Sequence, residues 1–253
     1  MRLTKNKQHV KYIPHDKPSL MKIQYSPPMI QYNDNDYPLI SNSKPRAFGD
    51  TFALISHLLT HSKNKYIYLN RYTTRSFRNR VHNIMNAFDT NKRVKYVNLE
   101  PNINISLVQQ VTEPYYPTKF KWSKPTTDKI KIACQFVSPS KTYQEKRLSN
   151  KQITNILKWA NQNQYEVIEI GLPQTVLEST EILSQCHFFL GICSGMSHLA
   201  HAVGIPCFIK DFITSRNKSM SFFHPHKLYC EYTTSYDAII KMKRYINEEY
   251  NKK

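Results

Sequence analysis

Ile192-Cys-Ser-Gly-Met-Ser-His-Leu-Ala-His-Ala-Val-Gly-Ile-Pro206, preceded by the apolar run His187 to Gly191, is the stretch on which the reading of this chain turns. An apolar run of strand length ends in Ser194-Gly195 and passes at once into a short helical pattern from Met196 to Val203. Gly204-Ile-Pro206 then closes the helix before a second apolar run at Cys207 to Ile209. A strand that turns directly into a helix leaves unpaired backbone N–H groups and the positive end of the helix dipole at the turn. Such an end receives phosphate. Gly195 would let a diphosphate approach the backbone closely, and Ser194 and Ser197 would add hydroxyl donors. A tight strand-to-helix turn in any α/β domain has the same outline.

Outward from this stretch, strands and helices alternate. Toward the C-terminus lie a strand near Leu228 to Tyr232 and an amphipathic helix from Tyr236 to Tyr250. Toward the N-terminus lie helix Val176 to Gln185, strand Glu166 to Ile170, a helix capped at Ser149 with Ile153, Ile156, Leu157 and Ala160 on one stripe, and strand Lys129 to Val137. Pro114, Pro117 and Pro125 interrupt periodicity between Pro101 and Asp128, which reads as a linker. A first alternating block precedes it. This block has a helix from Asp50, read as its N-cap, with Phe52, Leu54, Ile55, Leu58 and Leu59. Strand Tyr66 to Asn70, a helix with Phe77, Val81, Ile84, Met85 and Phe88 on one face, and strand Val94 to Asn98 complete it. The alternation predicts an α/β protein with parallel sheets, arranged as two Rossmann-like lobes about a central cleft. The predicted division is an irregular basic, proline-containing arm at 1–45 with a short strand at Met21 to Tyr25, an N-terminal lobe at 46–125 and a C-terminal lobe at 126–253.

Composition narrows the classes. With 40% hydrophobic residues and 12% aromatics in 253 residues, the chain can build a core and is not a disordered basic tail. No apolar run is long enough to span a bilayer, and Met1 to Lys7 lacks the apolar centre of a secretory signal, so the sequence reads as soluble and unexported. Five cysteines without a C-x-x-C pair read as reduced thiols, and no spacing suggests a structural zinc. Only five glycines occur, and Gly171, Gly191, Gly195 and Gly204 cluster in one short region, leaving Gly49 apart. A chain so poor in glycine keeps it where a side chain would be intolerable.

Three segments together resemble the heptosyltransferase family of GT-B glycosyltransferases. Leu177 to Pro206 is similar to the family's C-terminal nucleotide-sugar segment, D-S-G-x-x-H-L-A-A-A-x-G-x-P, with Cys193 in place of the acidic residue. Arg46-Ala-Phe-Gly-Asp-Thr-Phe-Ala-Leu-Ile-Ser-His-Leu-Leu59 resembles the G-D-x-x-x-x-x-P-x-L opening of the N-terminal lobe, with His57 in place of the proline. Phe136 to Ser149 resembles the loop whose hydroxyl and cationic groups hold the nucleotide phosphates. The resemblance implies a GT-B-like fold and an inverting transferase whose donor is a nucleoside diphosphate sugar, with no other cofactor and no metal. It implies Asp50 as general base toward the acceptor hydroxyl. Gly49, Ser138, Lys146, Arg147, Ser194, Gly195, Met196, Ser197 and His198 become nucleotide-sugar-binding residues. A carboxylate that takes the acceptor proton as the new bond forms, and cations that meet the charge growing on a departing diphosphate, are what such a transfer needs. A plain helix cap remains the alternative for Asp50, and a solvated loop for each basic residue.

The formal charge of +18, from 36 Lys+Arg against 18 Asp+Glu, is spread along the chain and attracts polyanions. Arg71-Tyr-Thr-Thr-Arg-Ser-Phe-Arg-Asn-Arg80 interleaves aromatic and basic groups, so Arg71, Arg75 and Arg78 are candidates for gripping an anionic acceptor. That acceptor could be a cell-surface glycan of lipopolysaccharide type, reached from the cytoplasm or by peripheral attachment to the inner face of the membrane. Two other readings stay open. One is a transferase acting on a hydroxylated base in DNA. The other is a non-catalytic nucleic-acid-binding protein on a decayed transferase scaffold, to which Cys193 lends support.

Overall fold

The computed structural model describes residues 39–40, 48–61, 65–70, 74–97, 115–127, 129–137, 147–171, 173–210 and 229–251. The predicted strand at Met21 to Tyr25 lies outside them. Two parallel sheets carry the fold. The first holds β1 (Leu39–Ile40), β2 (Tyr66–Asn70) and β3 (Arg93–Val97) in that order, with Tyr66 opposite Arg93 and Asn70 opposite Val97. β1 is a strand that the sequence did not suggest. Helices α1 (Phe48–His61) and α2 (Arg75–Ala87) join these strands. Thr74 caps α2 by accepting from the Phe77 N–H at 3.3 Å, and Phe77, Val81, Ile84, Met85 and Ala87 form its buried stripe.

The second sheet contains β4 (Lys131–Gln135), β5 (Glu166–Glu169), β6 (Phe188–Ile192), β7 (Cys207–Lys210) and β8 (Tyr229–Tyr232), all parallel, in the order β5-β4-β6-β7-β8. Its helices are α3 (Asn150–Gln162), α4 (Val176–Gln185), α5 (Gly195–Val203) and α6 (Ser235–Glu249). Ser149 and Thr175 close capping boxes with Gln152 and Glu178, which explains why α3 and α4 begin where they do. The Thr175 N–H and hydroxyl donate to the Glu178 carboxylate and hold its pKa below the usual range. Gly204, with φ of 88°, ends α5 in the left-handed conformation.

Parallel strands buried on both faces alternate their side chains between two cores. Ile132, Cys134, Phe188, Leu190, Ile192 and Phe208 face α3 and α6, where they meet Ile156, Trp159, Ala238, Met242 and Ile246. Ala133, Phe189, Cys207 and Ile209 face the other way, into a cluster that runs through α4 and α5 to Phe52, Ile55 and Leu59 of α1 and Val81 and Ile84 of α2. Helix α1 packs against α5, and α2 against α4. The segment 115–127, read from sequence as a linker, is tied to this seam at Thr118 and Trp122. Thr118 bridges Phe88, the Trp122 N–H donates to the Val203 carbonyl at 2.9 Å, and its indole N–H donates to the Cys186 carbonyl at 2.8 Å.

No helix among the described residues is long and apolar enough to cross a membrane. No three of their His, Cys, Asp or Glu side chains lie close enough together to hold a metal ion.

Candidate functional site

Strand order locates the site. The chain leaves β4 for β5 on one side, then returns to place β6 on the other, so neighbouring connections part company between β4 and β6. In open α/β sheets the crevice outside the carboxyl ends of strands at such a switch point is where ligands bind. Gln135 ends β4 opposite Gly191, and β6 runs out through Cys193 to Ser194 beside it. Ser194 is the N-cap of α5, so the helix starts one residue earlier than its apolar pattern suggested, at Gly195.

The polar groups at this turn are largely engaged with one another. The Ser194 hydroxyl donates to the Gln135 side-chain carbonyl and accepts from the Met196 N–H at 3.2 Å. The Ser197 hydroxyl accepts from the Ser194 N–H at 3.1 Å and donates to the Ser194 carbonyl at 2.6 Å. The two serines thus shape the turn with the protons that sequence reasoning offered to a ligand. Ser197 and His198 are buried, while Ser194, Gly195 and Met196 are half-buried.

Helix α1 brings the second glycine segment to the same place. α1 follows β1 as α5 follows β6, so both helices start at the carboxyl edges of parallel sheets. A Cβ on Gly49 would stand 2.7 Å from Cδ2 and 3.0 Å from Nε2 of His198, and one on Gly195 would run into the Phe48 ring and stand 3.2 Å from the Gly49 nitrogen. Neither position admits a side chain without displacement. Two helix N-termini, each with a glycine, therefore meet edge to edge and concentrate positive potential there. Asp50 is not the N-cap read from sequence. It lies inside the first turn of α1, which begins at Phe48, and its side chain is outside the described residues.

Tyr115 closes this junction from the crossover segment. Its hydroxyl lies 2.5 Å from His198 Nδ1, and its ring meets Phe52 of α1 edge-on at 5.6 Å and His198 at 6.0 Å. Burial, with Cys193 adding to it, pushes the Tyr115 hydroxyl pKa far up, so the phenol stays protonated. Cys193 itself is buried at the end of β6, in the position where the resemblance would have a carboxylate.

The cations are distributed unequally. Arg147 precedes α3, and its carbonyl accepts from Lys210 Nζ at 2.8 Å. Lys210 ends β7 opposite Ile192, one strand from the crevice, and partial burial lowers its pKa. Sequence reasoning passed over Lys210, Gln135 and Tyr115. Lys210 and Gln135 carried a signal as polar residues ending apolar strands, whereas Tyr115 carried none. Ser138 and Lys146 lie outside the described residues, as does Arg71. Arg75 is exposed and Arg78 half-buried on α2, the helix that packs against α1 and α4. His201 is buried on α5, Glu169 is exposed at the end of β5, and Trp159 packs against Tyr165.

No family profile and no curated protein sequence matches the chain. Solved structures do. The bacterial iron-containing dodecameric glycosyltransferase TibC from enterotoxigenic E. coli H10407 is 14% identical with a TM-score of 0.44, over 72% of this chain and 62% of TibC. Dodecameric iron-containing heptosyltransferase TibC in complex with ADP-D-beta-D-heptose is 15% identical with a TM-score of 0.47, over 77% of this chain and 62% of that one. E. coli heptosyltransferase WaaC with ADP is 9% identical with a TM-score of 0.37, over 85% of this chain and 73% of WaaC. These neighbours in structure are heptosyltransferases. The chain spans 62% of the length of TibC.

Proposed function

We propose that this protein is a nucleotide-sugar-dependent glycosyltransferase whose donor diphosphate sits at the β4–β6 crevice, against the start of α5. The observation that carries this reading is the meeting of Gly49 with His198 and Gly195, because it joins the two sequence segments that resemble the donor and acceptor sides of a transferase. Backbone N–H groups at the two helix starts offer a diphosphate donors and dipoles without a metal. Lys146, Arg147 and Ser138, on the segment that follows β4, and Lys210 at the end of β7 would supply cations and a hydroxyl to the same edge. Met196 and His198 would line the sugar side.

In the transfer, the acceptor oxygen forms a bond to the sugar's anomeric carbon as the bond from that carbon to the diphosphate oxygen breaks. The electron pair leaves with the diphosphate, where the cations and N–H groups stabilise it. Asp50 takes the acceptor proton. Displacement from the opposite face inverts the anomeric centre. The acceptor in this reading is an anionic glycan or lipid-linked sugar held by Arg71, Arg75 and Arg78.

Thermal-shift titration with ADP, GDP, UDP, CDP and TDP tests the donor site, since a ligand that binds only the folded state raises its transition temperature. One diphosphate should shift the transition selectively. Absence of a shift with all five, alongside a shift with duplex DNA, would replace this reading with the nucleic-acid-binding one. Asp50→Asn should retain diphosphate binding and lose turnover by about 100- to 10,000-fold, the ordinary range for a general base. Full turnover in that variant would remove Asp50 from the chemistry.

A further inference from the structure

We propose that Lys210 makes the donor site select a nucleoside diphosphate over a monophosphate, its ammonium holding the phosphate distal to the nucleoside; this rests on the donor site proposed above. Successive side chains of a strand leave opposite faces of the sheet. Lys210 therefore points the same way as Phe208, and its register partners Ile192 of β6 and Tyr232 of β8 belong, like Phe208, to the core under α3 and α6. Its Nζ donates to the Arg147 carbonyl at 2.8 Å. The next residue, Leu148, donates its N–H to the Phe136 carbonyl at 3.2 Å, just past the end of β4. β6 lies between β7 and β4, so a side chain that leaves β7 and meets a segment tied to the end of β4 crosses the carboxyl end of β6. The same strand continues through Cys193 and Ser194 into α5, which packs on the opposite face with Ala133 and Phe189. The crevice thus has the start of α5 on one side and the Lys210 ammonium on the other.

The surroundings of that ammonium point to an anion. It has three N–H groups. The Arg147 carbonyl takes one, and no other acceptor or carboxylate among the described residues meets the remaining two. Half-burial withdraws the group from water and lowers its pKa, and no neighbouring charge among the described residues offsets that loss. A charge taken out of water is stabilised by an opposite charge brought to it. Lys124, Lys129 and Lys241 each pair with a carboxylate at the surface, where pairing contributes least. Lys210, at the crevice, has none. A single phosphate at the start of α5 engages one side of the crevice, whereas two phosphates joined through one oxygen engage both. The second contact is the one Lys210 supplies.

Calorimetric titration of wild type with ADP, GDP, UDP, CDP and TDP, and with the five matching monophosphates, reads the preference directly. The diphosphate that binds should do so more tightly than its own monophosphate. Lys210→Gln keeps an N–H donor and removes the charge. It should weaken that diphosphate by about 10- to 100-fold, the usual worth of a hydrogen bond to a charged group. Its affinity for the monophosphate should stay at the wild-type value, which also reports that the crevice is still folded. Lys210→Arg, which restores the charge, should recover the preference for diphosphate. Equal affinity for the two nucleotides in wild type overturns the proposal before any variant is made. So does undiminished diphosphate affinity in Lys210→Gln, an equal loss of both nucleotides in that variant, or a preference that Lys210→Arg fails to recover. Wild type that binds none of the five diphosphates overturns the donor-site reading itself and this proposal with it, an outcome distinct from the others.

Discussion

The two faces of the five-stranded sheet are made by alternate residues of the same strands, yet they support different chemistry. The face under α3 and α6 is almost wholly apolar, and its largest buried hydroxyl, on Tyr232, is satisfied by the Gly191 carbonyl at 2.9 Å. The other face leads through α4 and α5 to α1, and along that path lie buried Thr51, Ser56, His57, Thr180, Ser197, His198 and His201. Buried polar groups must be hydrogen-bonded to be tolerated. The Ser56 hydroxyl accepts from the Tyr116 N–H at 2.6 Å, and the Thr180 hydroxyl donates to the Leu177 carbonyl at 2.6 Å. One face is a core that sets stability. The other is a seam where polar side chains are held in place, and it ends at the two glycines.

If that division is right, truncating the apolar face should cost the most stability. Phe188 is fully buried between Phe208 at 5.3 Å and Tyr245 at 5.9 Å. Phe188→Ala should lower unfolding free energy by about 3–5 kcal/mol. Urea denaturation measures it, and a loss below that of the seam variants would break the comparison.

A methyl group at the seam should act in the opposite proportion. Gly195→Ala drives a carbon into the Phe48 ring and to 3.2 Å from the Gly49 backbone nitrogen, so α1 and α5 must part. The expected destabilisation is about 1–3 kcal/mol, as for other overpacked sites. Binding of the diphosphate should fail altogether. Gly204→Ala is the control on the same helix, where nothing lies within 4 Å of the added carbon and only the φ of 88° is strained. It should cost about 1–2 kcal/mol and leave binding intact. Equal binding in Gly195→Ala and Gly204→Ala would detach the seam from ligand recognition.

Ser194→Ala sharpens the same contrast on a smaller scale. It removes the N-cap of α5 and leaves the buried Gln135 carbonyl without its donor. Capping losses run at about 0.5–2 kcal/mol. Titration of the variant should show weaker diphosphate binding as well, because the turn that aims the helix start is no longer held.

Much of the fold could be read from the sequence because alternation and caps are local. Tyr66 to Asn70 and Val176 to Gln185 stand as their periodicity indicated, and Ser149 caps α3. Asp50 was misplaced because aspartate is a favoured cap, although Phe48 already falls on the stripe of Phe52, Ile55 and Leu59. β1 escaped notice since two residues carry no period. The glycine segments announced themselves by scarcity of glycine elsewhere. Gln135 and Lys210 showed only as polar residues closing apolar strands, and Tyr115 not at all, since its place at the junction arises from the meeting of distant segments, a property of tertiary structure that no local pattern encodes.

The smallest effect belongs to the amino end of the central strand β6, where His187 lets pH probe the packing of α6. The ring is buried, its Nδ1 accepts from the Lys131 N–H at 3.0 Å, and Nε2 faces the Thr127 carbonyl at 3.4 Å. Tyr250, just past α6, lies 4.8 Å from it, and Lys124 stands over the Tyr250 ring with Glu249 as its ion-pair partner. Desolvation lowers the His187 pKa, and the Lys131 charge adds to that, while the hydrogen bond to the Thr127 carbonyl opposes it. A proton added at Nδ1 would also confront an N–H donor. The unfolded chain, with a pKa near about 6.5, takes up that proton more readily than the folded one. The contribution of neutral His187 is therefore complete above about pH 6.5 and is lost as pH falls toward the lower folded value. Urea midpoints at about pH 7.5 and 5.5, on either side of that range, should differ more for wild type than for His187→Asn. Identical differences would mean that protonation of this ring is not what loosens the packing of α6 in acid.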